Sequence, residues 1–198
     1  MNSNFTIEEA DTFLKLHIRE DRKKIHPNLI HPNNFYKHSK SVSNISFTIN
    51  YKLHLENPEL IGIAGLLHDI GKLIINRDER EKDPELIVDA IYGSKYLERL
   101  GYNKIAKIIK TSFTTKELVE FKFTEIDSDD FIPKTIEQKI VVYADCHVSG
   151  GGKYVSFDER INDIRKSYNK NSLKIKSLDM GGEKRLRNLN EEIDNMLK

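Results

Sequence analysis

The chain has 198 residues, a length that fits one domain with a buried core and no need of disulfide or metal cross-links. Its 32 Lys and Arg residues nearly balance its 31 Asp and Glu residues, and the net charge of +1 disfavours a main role on nucleic-acid phosphates. The single cysteine, Cys146, excludes an internal disulfide and suits a reducing compartment. Neither a secretory signal nor an apolar run of membrane-spanning length is found, so we expect a cytoplasmic protein without a membrane partner.

Apolar residues recur at helical spacing along almost the whole chain, and the alternation that is typical of strands is scarce. This pattern predicts an all-α, single-domain fold. The first helix is predicted over Ile7–Ile18, with Thr6 and Glu9 as a capping box. A loop is predicted over His26–Asn34, because this stretch holds two His-Pro pairs and three asparagines.

The other predicted helices follow from apolar stripes and from the prolines and glycines at their ends. They cover Phe35–Leu53, Pro58 to a frayed end near Ile75, Pro84–Leu100, Asn103–Lys110, Pro133–Val148, Phe157–Tyr168 and Arg185–Leu197. We expect an exposed connection over Arg77–Asp83 and an irregular acidic segment over Phe121–Phe131. Residues 1–34 are predicted to pack on the core, residues 35–168 to contain the functional site, and residues 169–198 to form a C-terminal helical extension of the same unit.

The segment GLLHDIGK, from Gly65 to Lys72, carries the strongest chemical signal. A His-Asp pair by itself often occurs by chance. Here it ends an apolar helix, where burying two ionisable side chains without partners would cost several kcal/mol. A metal ion removes that cost, because it binds an imidazole nitrogen and a carboxylate oxygen as ligands.

Two more polar residues face inward on otherwise apolar helices. His38 opens the stripe that continues with Val42, and Asp145 directly follows the apolar sequence VVYA. Because His68 and Asp69 point about 100° apart on a helix, further ligands must come from other helices. The sequence therefore predicts a metal site formed by two histidines and two aspartates: His38, His68, Asp69 and Asp145.

An isolated histidine, a His-Asp pair on the next helix and a distant aspartate resemble the signature of the HD-domain superfamily of metal-dependent phosphohydrolases. The matching segments are KHSKSV, LLHDIGK and VVYADCHV, and the resemblance spans roughly residues 35–165. It implies an HD-type helical bundle, a bound divalent metal and a phosphoester substrate. The chain is further similar to small members of the family in the pairs Gly93-Ser94, Leu100-Gly101 and Thr114-Thr115.

The resemblance also bears on the number of metal ions. Similar proteins that hold two metals have one histidine shortly before the Gly-small pair and another at the end of the following helix. These positions fall near Asp89 and near Thr111–Phe113, and the second has no histidine. Asp89 stays open as a ligand for a weaker second metal, but we predict one ion. The mixed nitrogen and oxygen ligands suit Mn, Fe, Co, Ni or Zn better than Mg.

These residues predict the hydrolysis of a phosphoester by water that the metal activates. Asp69, as a ligand that also accepts the water's proton, is the best candidate for orienting the nucleophile. Lys72 lies one turn after the His-Asp pair, so we predict that its ammonium binds the phosphate and assists catalysis. The resemblance implies the same role for a lysine here. The expected partner is a small phosphorylated substrate, with a nucleotide or cyclic nucleotide favoured.

Other functions stay open beside this one. A catalytically weak or inactive HD-fold protein could bind a nucleotide as a sensor, and a nuclease would require a more basic groove with interleaved aromatic residues. The basic stretch Lys170–Lys176, with Lys184, Arg185 and Arg187, could meet a phosphate-rich partner, but a solvated face is the favoured interpretation. The sequence is compatible with either a monomer or a homo-oligomer.

Overall fold

The computed structural model describes residues 5–23, 31–75, 89–123 and 125–198. Within these residues the fold is all-α, which confirms the predicted fold class. The helices are α1 (Ile7–Lys23), α2 (Pro32–Lys52), α3 (Pro58–Leu67), α4 (Gly71–Ile74), α5 (Asp89–Arg99), α6 (Asn103–Ile109), α7 (Thr115–Lys122), α8 (Ile136–Cys146), α9 (Phe157–Ser167), α10 (Leu173–Ser177) and α11 (Glu183–Met196). A 3₁₀ turn covers Ser128–Phe131, and a π-type turn over Leu178–Gly182 joins α10 to α11.

Helix α3 lies at the centre of the fold. Every residue from Ile61 to Leu67 is buried, because this helix is apolar on all sides. It packs against α1, α2, α6 and α8. The close approach to α2 requires Gly65, where a Cβ atom would lie 2.9 Å from Ser46 Oγ and 3.1 Å from Val42 O. This crossing brings the helix that carries His38 beside the His-Asp segment.

Two predicted helix caps are confirmed. At the start of α1, Glu9 N donates to Thr6 Oγ1 over 3.2 Å and Thr6 N donates to Glu9 Oε2 over 2.8 Å. After α5, Gly101 adopts a φ of 88°, and its N–H donates to Glu98 O over 2.9 Å. The left-handed conformation explains the glycine at this position, because a side chain would be strained there.

The structure corrects several predicted boundaries. Helix α1 continues to Lys23, beyond the predicted end at Ile18. Helix α2 begins at Pro32, so the predicted loop over His26–Asn34 is wrong at its end, because proline fits the first helical turn. Residues 24–30 of that loop lie outside the described residues. So do the predicted connection over Arg77–Asp83 and the predicted helix start at Pro84.

Helix α8 also differs from its prediction. It begins at Ile136 rather than Pro133, because Thr135 caps it and Thr135 Oγ1 accepts a hydrogen bond from Gln138 N. It ends at Cys146, where the chain reverses and Val148 forms an isolated antiparallel bridge with Tyr154. The short helices α7 and α10 were not predicted.

The most consequential correction concerns the His-Asp segment. The predicted continuous helix to the region of Ile75 is interrupted: α3 ends at Leu67, residues 68–70 form a tight turn, and α4 follows over Gly71–Ile74. Ile70 N donates to Leu67 O and Lys72 N donates to Asp69 O, each over 3.0 Å. These i→i+3 bonds are of the 3₁₀ type, which winds the chain more tightly than an α-helix does. His68 and Asp69 therefore project from a turn between α3 and α4.

A single hydrophobic core contains residues from the N-terminal helix, the C-terminal helix and the central helices. Leu14 of α1 and Leu186 of α11 belong to the same buried cluster as Leu67 and Ile140. This shared cluster makes the described part of the chain a single structural domain, whereas the divisions at residues 34 and 168 remain predictions. Among the described helices, none combines the length and the apolar character that crossing a lipid bilayer requires.

Gly71 allows α4 to approach the start of α5, and its replacement gives a testable expectation. A Cβ atom at Gly71 would lie 1.9 Å from Asp89 O and 2.7 Å from Asp89 C, both of them backbone atoms. We expect Gly71→Ala to lower the free energy of unfolding by about 2–3 kcal/mol, because one backbone segment must move. Urea unfolding followed by circular dichroism measures this loss.

The matched control is Gly62→Ala in α3. There the nearest atom to a new Cβ would be Phe47 Cβ at 3.5 Å, an ordinary contact. Alanine is favoured over glycine within a helix by up to about 1 kcal/mol, so this variant should be as stable as the wild type or more stable. Equal stability of the two variants would contradict the close packing of α4 on α5.

Candidate metal centre

The four predicted metal ligands come from three separate parts of the fold. His38 lies on α2, His68 and Asp69 lie in the turn after α3, and Asp145 lies near the end of α8. All four side chains are buried, with at most 8% of any residue exposed. Burial of two carboxylates and two imidazoles in one place is costly unless the groups compensate one another or share a cation.

The structure brings the four side chains together. His38 Nε2 lies 3.3 Å from His68 Nε2 and 3.2 Å from Asp145 Oδ1. His68 Nε2 lies 3.5 Å from Asp69 Oδ2 and 3.9 Å from Asp145 Oδ1. His38 Nε2 and Asp69 Oδ2 are 4.0 Å apart. The predicted residues are therefore neighbours in space, and their role as ligands stays a prediction.

Hydrogen bonds to the backbone determine which nitrogen of each histidine faces this centre. His38 Nδ1 lies 3.0 Å from Ser149 O, and His68 Nδ1 lies 2.8 Å from Gly65 O. A carbonyl oxygen only accepts, so each Nδ1 must carry a hydrogen and donate it. In the neutral imidazoles, each Nε2 then keeps a lone pair. Such backbone bonds are typical of histidines that bind a metal through the other nitrogen.

A tight turn after α8 positions the carbonyl that holds His38. Gly152 has a φ of 83°, and a Cβ atom there would lie 2.7 Å from the carbonyl carbon of Lys37. Ser41 Oγ donates to Gly152 O over 2.7 Å. The turn is thus packed directly against α2, and the Ser149 carbonyl comes within reach of the imidazole.

One donor atom each of His38, His68 and Asp69 lies within 4.8 Å of the others, a spacing that fits ligands of a single ion, and Asp145 adjoins this group through His38. Two nitrogens that each lie about 2.1 Å from one ion are separated by about 3.0–3.4 Å at angles between octahedral and tetrahedral. The 3.3 Å between the Nε2 atoms of His38 and His68 falls in that range. Two lone pairs facing each other at this distance repel, and a shared cation turns that repulsion into attraction. The donor set therefore fits a divalent metal.

Charges around Asp69 keep its carboxyl group ionised. Burial raises the pKa of Asp69, but the Lys72 ammonium and the His68 ring outweigh burial and hold the pKa well below its usual range. Lys72 Nζ donates to Asp69 Oδ2 over 2.5 Å. Burial lowers the pKa of Lys72, but the carboxylates of Asp69 and Asp89 outweigh it and raise the pKa above its ordinary value. Both partners of this ion pair are therefore charged at neutral pH.

Asp145 is kept ionised in a similar way. Burial raises its pKa, but the His38 and His68 rings when they are protonated, together with the Arg160 guanidinium, outweigh burial and lower the pKa well below its usual value. Arg160 Nη2 lies 3.5 Å from Asp145 Oδ1. Burial lowers the pKa of His68, which favours the neutral imidazole that a metal requires.

The centre opens into a cavity of about 1000 Å³. His38, Asp69, Lys72 and Asp145 all line it, so a ligand in the cavity can reach them. Asp89, which the sequence analysis left open as a ligand for a second metal, lines the same cavity.

Sequence reasoning missed two cations in the cavity wall. Arg160 of α9 was not singled out, and Lys174 was assigned to a solvated basic face. That assignment is wrong for Lys174, which is partly buried and lines the cavity. Its neighbours Leu173 and Ile175 are buried, with 5% and 4% exposed. The Leu-Lys-Ile sequence was thus a signal that this stretch packs against the protein.

Arg185 also departs from the predicted solvated face. Its side chain is 19% exposed, and its Nε donates to Glu117 Oε1 over 2.7 Å. A partly buried ion pair joins α11 to α7 at this point. The basic stretch is therefore divided between the cavity, a structural ion pair and the surface.

Comparison with known proteins gives one family match and two relatives. The family model described as HD domain matches residues 35–147. An uncharacterized protein of Methanocaldococcus jannaschii is 31% identical over 174 residues, which is 83% of this chain and 90% of that protein. A tRNA (cytidine(56)-2'-O)-methyltransferase of Thermoplasma volcanium is 27% identical over 134 residues, which is 65% of this chain and 36% of the methyltransferase. No solved structure is a significant match.

Proposed function

Because the chain belongs to the HD-domain family, which is typical of metal-dependent hydrolases, we propose that it hydrolyses a small phosphoester. In this proposal His38, His68, Asp69 and Asp145 bind one divalent ion, which is Mn, Fe, Co, Ni or Zn. A nucleotide or cyclic nucleotide is the favoured substrate. The observation that supports the proposal best is the pair of Nε2 atoms 3.3 Å apart, both directed to one point by bonds at Nδ1.

The reaction adds water to phosphorus and breaks the ester P–O bond. A divalent ion, when bound, supplies a Lewis acid for the phosphoryl oxygen and lowers the pKa of water toward neutrality. Asp69 stays ionised, so its carboxylate accepts a hydrogen bond from the attacking water and orients it. Its lowered pKa makes it a weak base. Asp69 is therefore expected to orient the water but, unlike the expectation from the sequence, not to keep its proton, which passes to solvent or to the leaving oxygen.

Lys72 is placed to assist the same step. Its side chain lines the cavity and its Nζ lies beside Asp69 Oδ2, so a phosphate at the centre is within reach of the ammonium. The raised pKa keeps this ammonium charged while negative charge builds up on the phosphoryl oxygens. Arg160 compensates the charge of Asp145 and keeps its carboxylate directed at the histidines.

Cys146 is not a candidate nucleophile for this reaction. Burial raises the pKa of the Cys146 thiol to about 12, and this thiol is buried in the core. The reactive thiolate is therefore almost absent at neutral pH. This supports water, rather than a side chain, as the nucleophile.

The competing proposal is a sensor that binds a nucleotide without turnover. The complete set of the four proposed metal ligands and Lys72 favours hydrolysis, because a sensor has no need to keep every group that the reaction uses. A nuclease is disfavoured by the near-neutral net charge of +1. The similarity to a protein named as a tRNA methyltransferase nevertheless makes an oligoribonucleotide a useful test compound.

The test is a screen of the purified protein after elemental analysis. Nucleoside monophosphates, 2',3'-cyclic and 3',5'-cyclic nucleotides, nucleoside triphosphates and a short oligoribonucleotide are incubated with Mn, Fe, Co, Ni or Zn. We expect at least one compound to be cleaved. Chelation of the metal should abolish this cleavage, and addition of metal should restore it. Stoichiometric metal with no cleavage of any compound would overturn the hydrolase proposal in favour of the sensor.

A further inference from the structure

Lys174 places a third cation in the cavity, besides Lys72 and Arg160. It lies on α10 and lines the cavity of the candidate metal centre. Its Nζ lies 4.4 Å from the centroid of the Phe113 ring. Burial, followed by repulsion from Lys72, lowers the pKa of Lys174 to about 8. The ammonium groups of Lys72 and Lys174 are therefore close enough to repel each other.

Lys174 has no ion-pair partner within the described part of the chain. No carboxylate oxygen there lies within 4.0 Å of its Nζ. The carboxylates that attract it from a distance are Asp145 and Asp69, which belong to the candidate metal centre. The Phe113 ring is a weaker partner than a carboxylate. A partly buried ammonium with only an aromatic ring beside it is suited to an anion that enters the cavity.

The charge of Arg160 acts on both the candidate metal centre and Lys174. Its Nη2 is 3.5 Å from Asp145 Oδ1, and its charge also lowers the pKa of Lys174. Its Nε is buried and donates no hydrogen bond to any of the described residues. A guanidinium offers five N–H donors, so the contact with Asp145 leaves donors for a further acceptor.

The cavity wall that carries Phe113 is held in a specific conformation. Phe113 has a φ of 31°, which is unusual for a residue with a side chain. Arg185 Nη2 donates to Phe113 O over 2.7 Å, and Arg185 is itself paired with Glu117. Strained backbone persists where the surroundings determine it, and it is concentrated at ligand sites. Arg185 thus holds the ring against which Lys174 lies.

Two further acidic residues line the cavity and must be considered. The charge of Asp89 acts on Lys72, and Asp163 is exposed to solvent. Neither forms an ion pair with Lys174 or Arg160. Within the described residues, no acid of the wall therefore pairs with Lys174, whereas Arg160 shares its charge with Asp145 over 3.5 Å.

We infer that Arg160 and Lys174 form a second anion site, which binds a phosphate group other than the one held at the metal centre. The substrate is then a phosphoester that carries a second phosphate, either within a diphosphate or on another atom of its scaffold. This inference rests on the proposed function for the position of the first phosphate.

The test uses ligands that cannot be hydrolysed, so its result does not depend on turnover. Isothermal titration calorimetry on the metal-loaded protein compares methylphosphonate with α,ω-bisphosphonates that have one to four methylene groups. We expect one bisphosphonate to bind at least about tenfold more tightly than methylphosphonate. A one-methylene optimum indicates a diphosphate, and a longer optimum indicates two separate phosphates. No gain for any bisphosphonate would overturn the inference.

Three variants identify the source of the gain. Lys174→Met should abolish the gain, while its metal content and circular dichroism spectrum stay those of the wild type and show that the variant is folded. Lys174→Arg should retain it because the charge is kept. Lys176→Met is the matched control, since Lys176 is an exposed lysine of the same helix. It should retain the gain.

A gain that persists in Lys174→Met would come from chelation of the metal and would overturn the inference. An equal loss in Lys176→Met would do the same, because it would show a non-specific charge effect. If the gain depends on Lys174 but no phosphoester is cleaved in the screen, the hydrolase proposal fails and the second anion site stands.

Discussion

Replacement of Asp69 by asparagine is expected to remove the bound metal and to lower kcat by at least about 10³-fold. Asparagine has nearly the same shape, so the packing of the turn after α3 is retained. It lacks the negative charge that a divalent ion and Lys72 both require. The carboxylate lies 3.5 Å from His68 Nε2 and 2.5 Å from Lys72 Nζ, so its loss affects the ion and the phosphate-binding lysine together. Elemental analysis and steady-state kinetics measure the two effects.

Asp163→Asn is the matched control for this variant. Asp163 lines the same cavity but is exposed to solvent. This change should leave both the metal content and kcat close to those of the wild type. Stoichiometric metal in Asp69→Asn, with a circular dichroism spectrum like that of the wild type, would show that Asp69 is not a ligand.

Lys72→Met should separate phosphate stabilisation from metal binding. Methionine keeps most of the aliphatic stem and removes the charge, so we expect the metal to remain. Loss of the ammonium removes stabilisation of the developing phosphoryl charge, which lowers kcat by about 10²–10³-fold. The Asp69 carboxylate would then lose its main cationic partner, and its pKa should rise toward the ordinary value. Elemental analysis and kcat are measured on the same preparation.

Two comparisons make the Lys72 result specific. Lys72→Arg keeps a positive charge and should recover part of the lost kcat, although the guanidinium has a different shape. Lys110→Met changes a lysine that pairs with Asp130 over 3.7 Å and should leave kcat unchanged. An unchanged kcat in Lys72→Met would exclude Lys72 from the chemical step.

Most of the helices could be predicted from the sequence, because their signals are local. The capping box of Thr6 and Glu9 and the left-handed Gly101 depend on residues within a few positions of each other. The HD-domain assignment likewise rests on short segments around His38, His68 and Asp145, and the family match confirms it. Short elements such as α10 were missed, because five residues carry too little periodicity to be recognised.

The His-Asp turn shows where local reasoning fails. The sequence pattern continues as a helix through Ile70, yet the chain tightens after Leu67. Gly71 meets the backbone of Asp89, a contact across the fold that a helical pattern does not encode. Tertiary packing thus decided the conformation from which His68 and Asp69 project.

The sequence alone determined the class of the fold, the family and the four residues proposed to hold the metal, because periodicity and motif spacing are properties of neighbouring residues. Only the tertiary structure decided that the Nδ1 atoms of His38 and His68 face backbone carbonyls and that their Nε2 atoms lie 3.3 Å apart. It also decided that Lys174 enters the cavity rather than the solvent. The physical reason is that these features depend on how distant helices cross, and burial energy rather than local propensity sets those crossings.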